Sequence, residues 1–284
     1  MRAILLLTVV TMVTPSASAG PVLYPAPPGL EASPLYEVTV DGRPLFVYPC
    51  RVGAAVKDER GTLDPNPPET TTPRPAALCY FDSGEATEIV VTVREGSPHG
   101  DLGSAVVRPS RHGIEARVAG RRISFRAPGG PCQLSVEPNG SAFAPLHVFI
   151  NPPEEGAPVP GAPGVTHYFG PGVHEAGLVK LEAGSTVYLA GGAVVYGQFH
   201  CASADDVRIF GRGILDAGRA PSKPSGGRKA PEKPLGRYAN QVYLSNGRGV
   251  RVEGIILLDS PSWVLHLRNC REASVRNVKI VSWR

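Results

Sequence analysis

Alternating apolar and polar positions recur in short segments through the first half of the chain. Residues 36–40 read YEVTV, Asp41-Gly42 forms a hairpin signal, and further β-like runs follow at 45–48, 88–93, 113–118, 122–125, 132–136 and 146–150. Short runs about ten residues apart, separated by Gly, Pro and Asn-Gly, are typical of an antiparallel β-sandwich. We therefore predict a sandwich over residues 22–150, with an exposed Pro- and Thr-rich loop at 56–76.

The second half has a different pattern, in which short Val, Ile and Leu triplets return at a nearly fixed period. Residues 252–258 align with 275–281 at an offset of 23, and residues 207–216 align with 250–259 at an offset of 43. The excess in the second offset matches a polar excursion at 217–237. A period of 22 to 23 residues without helical segments predicts a parallel β-helix. Inward and outward residues stay in phase, which a second antiparallel sandwich would not require.

Together these patterns predict an all-β protein, an N-terminal β-sandwich followed by an incomplete right-handed parallel β-helix. The boundaries are a signal peptide at 1–19, the sandwich at 22–150, a linker at 151–165 and the truncated helix at 166–284. Arg2, the apolar run after it and Ala-Ser-Ala before Gly20 form the signal pattern. The alternative is an uncleaved anchor. We expect a secreted or periplasmic protein without a membrane span, because that run is shorter than the roughly 20 residues a span needs.

Net charge and cysteine count limit the classes of partner and cofactor that the sequence predicts. The formal net charge of +4 over 284 residues is too small to indicate nucleic acid or an anionic membrane. The odd number of cysteines, 5 in all, allows one disulfide among Cys50, Cys79 and Cys132. Cys201 and Cys270 would lie two coils apart, about 10 Å at the spacing of stacked strands, which is too far for a disulfide. No cysteine spacing matches a metal site, and no cofactor or metal is predicted.

Four motifs in the second half carry a resemblance to a known family. The motifs are YFGPGVH at 168–174, TVYLAGGAVV at 186–195, GRGILD at 211–216 and DSPSWVLH at 259–266. They look like the polygalacturonase family, glycoside hydrolase family 28, and the dextranase family shares the first two of them. The sandwich resembles the accessory domain that precedes such helices in bacterial members.

The resemblance implies an inverting hydrolase, with one carboxylic acid and other carboxylates on opposite faces of the glycosidic bond. The family places its catalytic and uronate-binding groups in Asn-Thr-Asp, Asp-Asp, Gly-His-Gly and Arg-Ile-Lys motifs, and none of these four is present here. Asp205-Asp206 falls in a predicted polar turn instead. We therefore expect no catalytic residue in this chain, a fragment that ends before the catalytic aspartates, inactivity alone, and a monomer if complete. With Val278, Ile280, Val281 and Trp283 uncapped, we also expect an aggregation site at the last coil.

Strand alternation identifies candidate substrate-binding residues. Val242 and Leu244 share an inward phase with Leu265 and Leu267, so the residues between them face outward. These form an aromatic and cationic stripe that suits a sugar ring and a carboxylate, although a solvated sheet face has the same pattern. Trp263 follows a Ser-Pro turn and is predicted to be a packing residue. The outward residues are Tyr243, Ser245, His266 and Arg268.

The excursion 217–237 is basic and ends at Arg237, a further candidate for binding substrate. Its cations would attract an acidic polysaccharide of the pectin or polygalacturonate kind, whereas a neutral glucan would gain nothing from them. A solvated loop is the alternative. The leading hypothesis is thus a glycosidase of polygalacturonase type, of which this chain is a fragment that lacks the catalytic motifs and is expected to be inactive alone. The alternatives are a non-catalytic polysaccharide-binding module and a dextranase-like fragment. A β-helix lyase would need calcium-binding carboxylates that the outward positions lack.

Overall fold

The chain forms a sandwich followed by a stacked helix of strands. The computed structural model describes residues 20–53, 73–219 and 240–283. Within these ranges no helix has the length and hydropathy of a membrane span. A 3-10 helix covers Ser110–His112. The strands of the first part are β1 (Val22–Leu23), β2 (Tyr36–Val40), β3 (Arg43–Leu45), β4 (Tyr48–Val52), β5 (Arg74–Asp82), β6 (Thr87–Val93), β7 (Ala105–Arg108), β8 (Arg117–Ala119), β9 (Arg122–Ala127), β10 (Cys132–Pro138) and β11 (Leu146–Asn151).

Two sheets make up the sandwich and enclose one hydrophobic core. The first has the order β1-β5-β11-β10-β7 with β4 beside β5, and the second has the order β3-β2-β6-β9-β8. The prediction of a purely antiparallel sandwich is wrong at one place, because β5 and β11 run parallel. The core between the sheets includes Val38, Phe81, Ile89, Ile123 and Leu146.

Strand β5 was not predicted, and its burial explains why. Phe81 and Cys79 face the sandwich core, whereas Leu78 and Tyr80 pack on the opposite side, against the second part of the chain. With both faces buried, the strand reads as a continuous apolar run instead of an alternating one.

Two sequence-based boundaries in the sandwich are corrected by the structure. The predicted loop 56–76 overlaps the start of β5 at Arg74, and residues 54–72 lie outside the described residues. The predicted strand 113–118 begins too early, because Gly113 has a φ of 60° and caps the 3-10 helix. Glycine adopts this left-handed conformation without the steric cost that a Cβ would add.

The predicted disulfide among the first three cysteines is wrong, since all three are free thiols. Cys79 and Cys132 both face the sandwich core, but β11 lies between their strands, which puts them two strand spacings apart. That is about 10 Å, beyond the reach of a disulfide. Cys50 packs on the other side of the sheet, against the second part. Cys201 and Cys270, farther along, are also free thiols.

The second part is a parallel β-helix. One sheet has the order β12-β14-β16-β19-β22 and another the order β21-β18-β15-β17-β20-β23, with β13 beside β15. Strand β15 turns a corner, because residues 194–196 pair with β17 and residues 199–201 pair with β18. The strands are β12 (His167–Phe169), β13 (Gly172–Lys180), β14 (Thr186–Leu189), β15 (Ala193–Cys201), β16 (Arg208–Gly211), β17 (Ile214–Asp216), β18 (Val242–Ser245), β19 (Arg251–Glu253), β20 (Ile256–Leu258), β21 (Leu265–Arg268), β22 (Ser274–Arg276) and β23 (Lys279–Val281).

Most predicted coil registers are confirmed, and one is shifted by a residue. Val242 pairs with Leu265, 23 residues later. The offset of 43 holds for Ile209 and Val252, but Leu215 pairs with Leu257, an offset of 42. The difference arises because the turn at 211–213 holds one residue more than the turn at 254–255.

The sheet that contains β5 packs against the helix with the side that faces away from the sandwich core. It contacts the strands β15, β17, β20 and β23. We call the outward side of these strands (residues 194–196, 214–216, 256–258 and 279–281) the docked face. The neighbouring outward side of β15, β18 and β21 (residues 198–200, 243–245 and 266–268) is the open face. The apolar contact between sandwich and helix joins Tyr48, Leu78, Tyr80 and Phe149 to Val194, Ile214, Ile256, Leu258 and Val281.

Buried polar groups connect the same two surfaces. Arg212 Nε donates to Asp82 Oδ2 at 3.1 Å, with side chains 9% and 1% exposed. Lys279 is 1% exposed, and its Nζ donates to Gly254 O at 3.1 Å and to Asn151 Oδ1. The predicted linker 151–165 therefore begins at a residue held between the two parts.

Candidate aromatic ladder on the open face

The open face carries a row of rings from successive coils. His200 on β15 is in register with Tyr243 on β18, and Tyr243 is in register with His266 on β21. Their alternate neighbours, Val242 and Leu244, are fully buried in the helix core, as predicted. Parallel stacking therefore places one ring of each coil above the ring of the next.

The rings are close enough to contact one another. The centroids of His200 and Tyr243 are 5.9 Å apart, those of Tyr243 and His266 are 5.2 Å apart, and those of Trp263 and His266 are 4.4 Å apart. Such separations are those of edge-to-face and tilted ring pairs. We call His200, Tyr243, His266 and Trp263 the aromatic ladder.

Asn240 fixes two rings of the aromatic ladder. His200 Nε2 lies 2.7 Å from Asn240 O, and Asn240 Nδ2 lies 3.1 Å from His266 Nδ1. Gln198 Nε2 donates to the same carbonyl at 2.9 Å. Burial lowers the pKa of His200, so this ring is neutral at pH 7. The aromatic ladder is thus held in place by a residue just before β18, which the sequence pattern did not identify.

The prediction that Trp263 is a packing residue is wrong, because 63% of this residue is exposed. The Ser260 side chain donates to Trp263 O at 3.1 Å, so the tight turn after β20 turns the indole outward. A large exposed aromatic ring beside further rings is a feature of carbohydrate- and protein-binding surfaces.

The remaining predicted binding residues have different positions. Arg268 is exposed at the end of β21, in register with Ser245 on β18. Ser245, predicted to be outward and accessible, is only 3% exposed, and its hydroxyl donates to Ala202 O at 3.3 Å. Arg237 lies outside the described residues. The structure therefore brings Tyr243 and His266 into contact and leaves Arg268 at the margin of the aromatic ladder.

The paired aspartates Asp205 and Asp206 lie in a turn, as predicted. Asp205 Oδ1 accepts from Arg248 N at 2.9 Å, and Asp206 has a φ of 51°. Both serve the stacking of turns rather than the open face. Across residues 20–53, 73–219 and 240–283, no group of three or more His, Cys, Asp and Glu side chains could hold a metal ion.

The comparisons with known proteins support the fold. No family model and no curated protein matches the sequence. Among solved structures, Dex49A from Penicillium minioluteum is similar over 92% of this chain, with a TM-score of 0.65 at 17% identity. The chain spans 60% of the length of Dex49A. This likeness shows an all-β fold with a parallel β-helix and does not single out the polygalacturonase family.

Proposed function

We propose that this chain supplies the polysaccharide-binding surface of a secreted β-helix glycoside hydrolase. The observation that carries the proposal is the aromatic ladder, a continuous row of rings that ends in the 63% exposed Trp263. Sugar rings present apolar C–H faces to aromatic side chains and hydroxyls to the polar groups around them. Successive coils, about 4.8 Å apart, would repeat this surface along an extended sugar chain. The fold shared with Dex49A supports the glycosidase class.

For the substrate, we propose a pectic polysaccharide of the polygalacturonate kind. Arg268 stands exposed next to the aromatic ladder and provides a planar guanidinium group that can bind a carboxylate through two hydrogen bonds. A uronic acid offers a ring for stacking and a carboxylate for this arginine. The motifs that resemble the polygalacturonase family support the same substrate.

We propose that the chain alone binds without hydrolysing. An inverting mechanism needs carboxyl groups roughly 6.5 to 9.5 Å apart across the bond that is cleaved. The described outward positions of the open face carry Gln198, His200, Tyr243, Ser245, His266 and Arg268, none of them a carboxylate. The four catalytic motifs of the polygalacturonase family are likewise missing from the sequence.

Dextran is the second candidate substrate. The observation in its favour is the likeness to Dex49A, whose name points to dextran, together with the two motifs that the dextranase family shares. An uncharged glucan would use the rings and would make no ion pair with Arg268. The two substrates therefore differ in their dependence on one arginine.

The test is a calorimetric titration of the 284-residue chain with polygalacturonate and, separately, with dextran. Trp263→Ala should weaken binding of the preferred polysaccharide about tenfold, the loss expected for one stacked ring. Arg268→Gln should weaken polygalacturonate and leave dextran unchanged. Arg276→Gln, an exposed arginine on another sheet, is the matched control. Binding to neither polysaccharide, or a Trp263→Ala variant that binds as the native chain does, would refute the proposal.

A further inference from the structure

A cavity separate from the aromatic ladder lies where the sandwich meets the corner of the helix. It is a cavity of about 300 Å³ between strand β4 and the turns that follow β17 and β20. This is at the lower end of the volumes of small-molecule sites. The side chains that matter for its chemistry come from both parts of the chain: Arg51 from the sandwich, and Tyr196, Asp216, Arg219 and Asp259 from the helix.

One carboxylate oxygen of Asp259, a residue that lines this cavity, accepts no hydrogen bond within the part of the chain that the structure describes. Asp259 is 8% exposed, and its Oδ2 accepts from Arg51 Nε at 2.8 Å and from Arg51 Nη2 at 2.5 Å. Its Oδ1 is buried and has no hydrogen-bond partner among the described residues. A buried carboxylate oxygen without a donor costs free energy.

Asp216 brings a second carboxyl group to the same point. Its Oδ1 accepts from Gly218 N at 2.7 Å. A Cβ added to Gly218 would lie 3.0 Å from Asp216 Oδ1, 3.1 Å from Asp259 Cβ and 3.2 Å from Arg51 Nη2. The absence of a side chain at this glycine thus keeps open the space between the two carboxyl groups and the guanidinium group.

Arg219 forms the outer wall. Its guanidinium carbon lies 3.5 Å from the ring centroid of Tyr196, a stacked cation–π contact, and it pairs with Glu175. The Arg219 side chain remains 58% exposed, which leaves N–H donors and a flat outer surface available. The cavity is therefore lined by two arginines and two aspartates, and each arginine is already paired with a carboxylate, Arg51 with Asp259 and Arg219 with Glu175.

These pairings define the ligand. Because both arginines that line the cavity are already paired with carboxylates, neither is left as a free cation for an anionic ligand, and their guanidinium groups would repel a cation. A sugar hydroxyl both donates and accepts, so it can donate to a carboxylate and accept from a guanidinium group. We propose that the cavity is a binding subsite for one uncharged sugar ring, distinct from the aromatic ladder. The inference rests on the proposed function, since it takes the chain to be a polysaccharide-binding protein.

The protonation of Asp216 fits this role. Burial, to which the nearby Asp259 charge adds, raises the pKa of Asp216 to about 6. At mildly acidic pH part of the population therefore carries a carboxylic acid, which donates as well as accepts. Asp216 and Asp259 then offer a hydrogen-bond donor and hydrogen-bond acceptors to two neighbouring hydroxyls of one sugar ring.

The two tryptophans allow the two sites to be observed separately. The sequence contains 2 tryptophans. Trp263 belongs to the aromatic ladder, and Trp283 lies beside the cavity, with its ring centroid 5.5 Å from the Arg51 guanidinium carbon. In Trp263→Phe the remaining fluorescence reports the cavity. In Trp283→Phe it reports the aromatic ladder. The probes are isomaltotriose, a neutral trisaccharide, and trigalacturonate, an anionic one.

We expect isomaltotriose to change Trp283 fluorescence saturably and trigalacturonate to bind there at least about tenfold more weakly. Gly218→Val should fill the cavity without changing any charge, and Asp216→Ala should remove one partner. Each should weaken isomaltotriose binding about tenfold. Asp101→Asn, at an exposed aspartate of the sandwich, is the matched control. Folding of each variant is checked by circular dichroism.

A Trp283 signal that isomaltotriose does not change would overturn the inference, as would tighter binding of trigalacturonate at this site. Unchanged binding by both folded variants would also overturn it. The proposed function is tested apart from this, through the response of Trp263 to polygalacturonate and dextran. If the fluorescence of Trp263 changes and that of Trp283 does not, the subsite inference is wrong and the proposed function stands. If the fluorescence of Trp283 changes and that of Trp263 does not, the proposed role of the aromatic ladder is wrong.

Discussion

The buried ion pair between sandwich and helix should be a major determinant of stability. Arg212 Nε donates to Asp82 Oδ2 at 3.1 Å, and Arg212 Nη2 donates to Pro152 O at 3.1 Å. The other Asp82 oxygen accepts from Asn151 Nδ2 at 3.0 Å. Arg212→Met preserves the length of the side chain and removes its charge and donors. Asp82, 1% exposed, would then be a buried carboxylate that has lost its ion-pair partner.

Removing one partner of a buried pair costs about 3–5 kcal/mol, because the other charge stays desolvated. The lower end applies here, since Lys279 lies close by. Burial, and after it the charge of Arg212, lowers the pKa of Lys279 to about 7. Without Arg212 the lysine ammonium is favoured and partly replaces the lost charge. We therefore expect Arg212→Met to lower the free energy of unfolding by about 3 kcal/mol.

Urea denaturation followed by tryptophan fluorescence measures this loss. Asp82→Asn should also destabilise, and the double variant with Arg212→Met should lose less than the two single losses added together. The matched control is Arg248→Met, which removes an exposed pair with Glu272 and should give no resolvable change. A loss below about 1 kcal/mol for Arg212→Met, or full additivity in the double variant, would show that the pair does not hold the two parts together.

A further prediction concerns the protonation of Lys279. The unfolded chain binds a proton at Lys279 up to its ordinary pKa of 10.5 and the folded chain only up to about 7, so the free energy of unfolding should rise with pH between these values. In Lys279→Met this contribution to the rise should vanish, and equal slopes in the urea denaturation of both proteins would contradict it.

The β-helix could be predicted from sequence because its register is a local and repeated property. Each coil repeats the same inward and outward order, so Val242 over Leu265 follows from spacing alone. The shift at Leu215 could not be predicted in this way. One extra residue in the turn at 211–213 is accommodated there, and Arg212 projects from that turn to Asp82. A pattern of apolar residues cannot distinguish an insertion in a turn from one in a strand.

The position of the sandwich also escaped prediction, because it depends on contacts between segments far apart in sequence. Lys279 occupies a register position equivalent to Ile256, and the sequence alone gives no reason to expect a lysine buried there. Asn151 and Gly254 provide the acceptors that make this burial possible. For the same reason the packing of Leu78 and Tyr80 on the helix could not be recognised from β5 alone.

The docking of the sandwich decides where ligands can reach the helix. By covering the docked face, it leaves the open face of the described coils accessible, together with the cavity at the corner beside it. It also contributes Arg51, which binds Asp259 at that corner. If the sandwich were a detachable accessory module, its removal would leave the helix and the cavity at the corner unchanged. With Arg212 and Asp82 buried between the two parts and Arg51 bound to Asp259, we expect instead that removal of the sandwich destabilises the helix and opens this cavity.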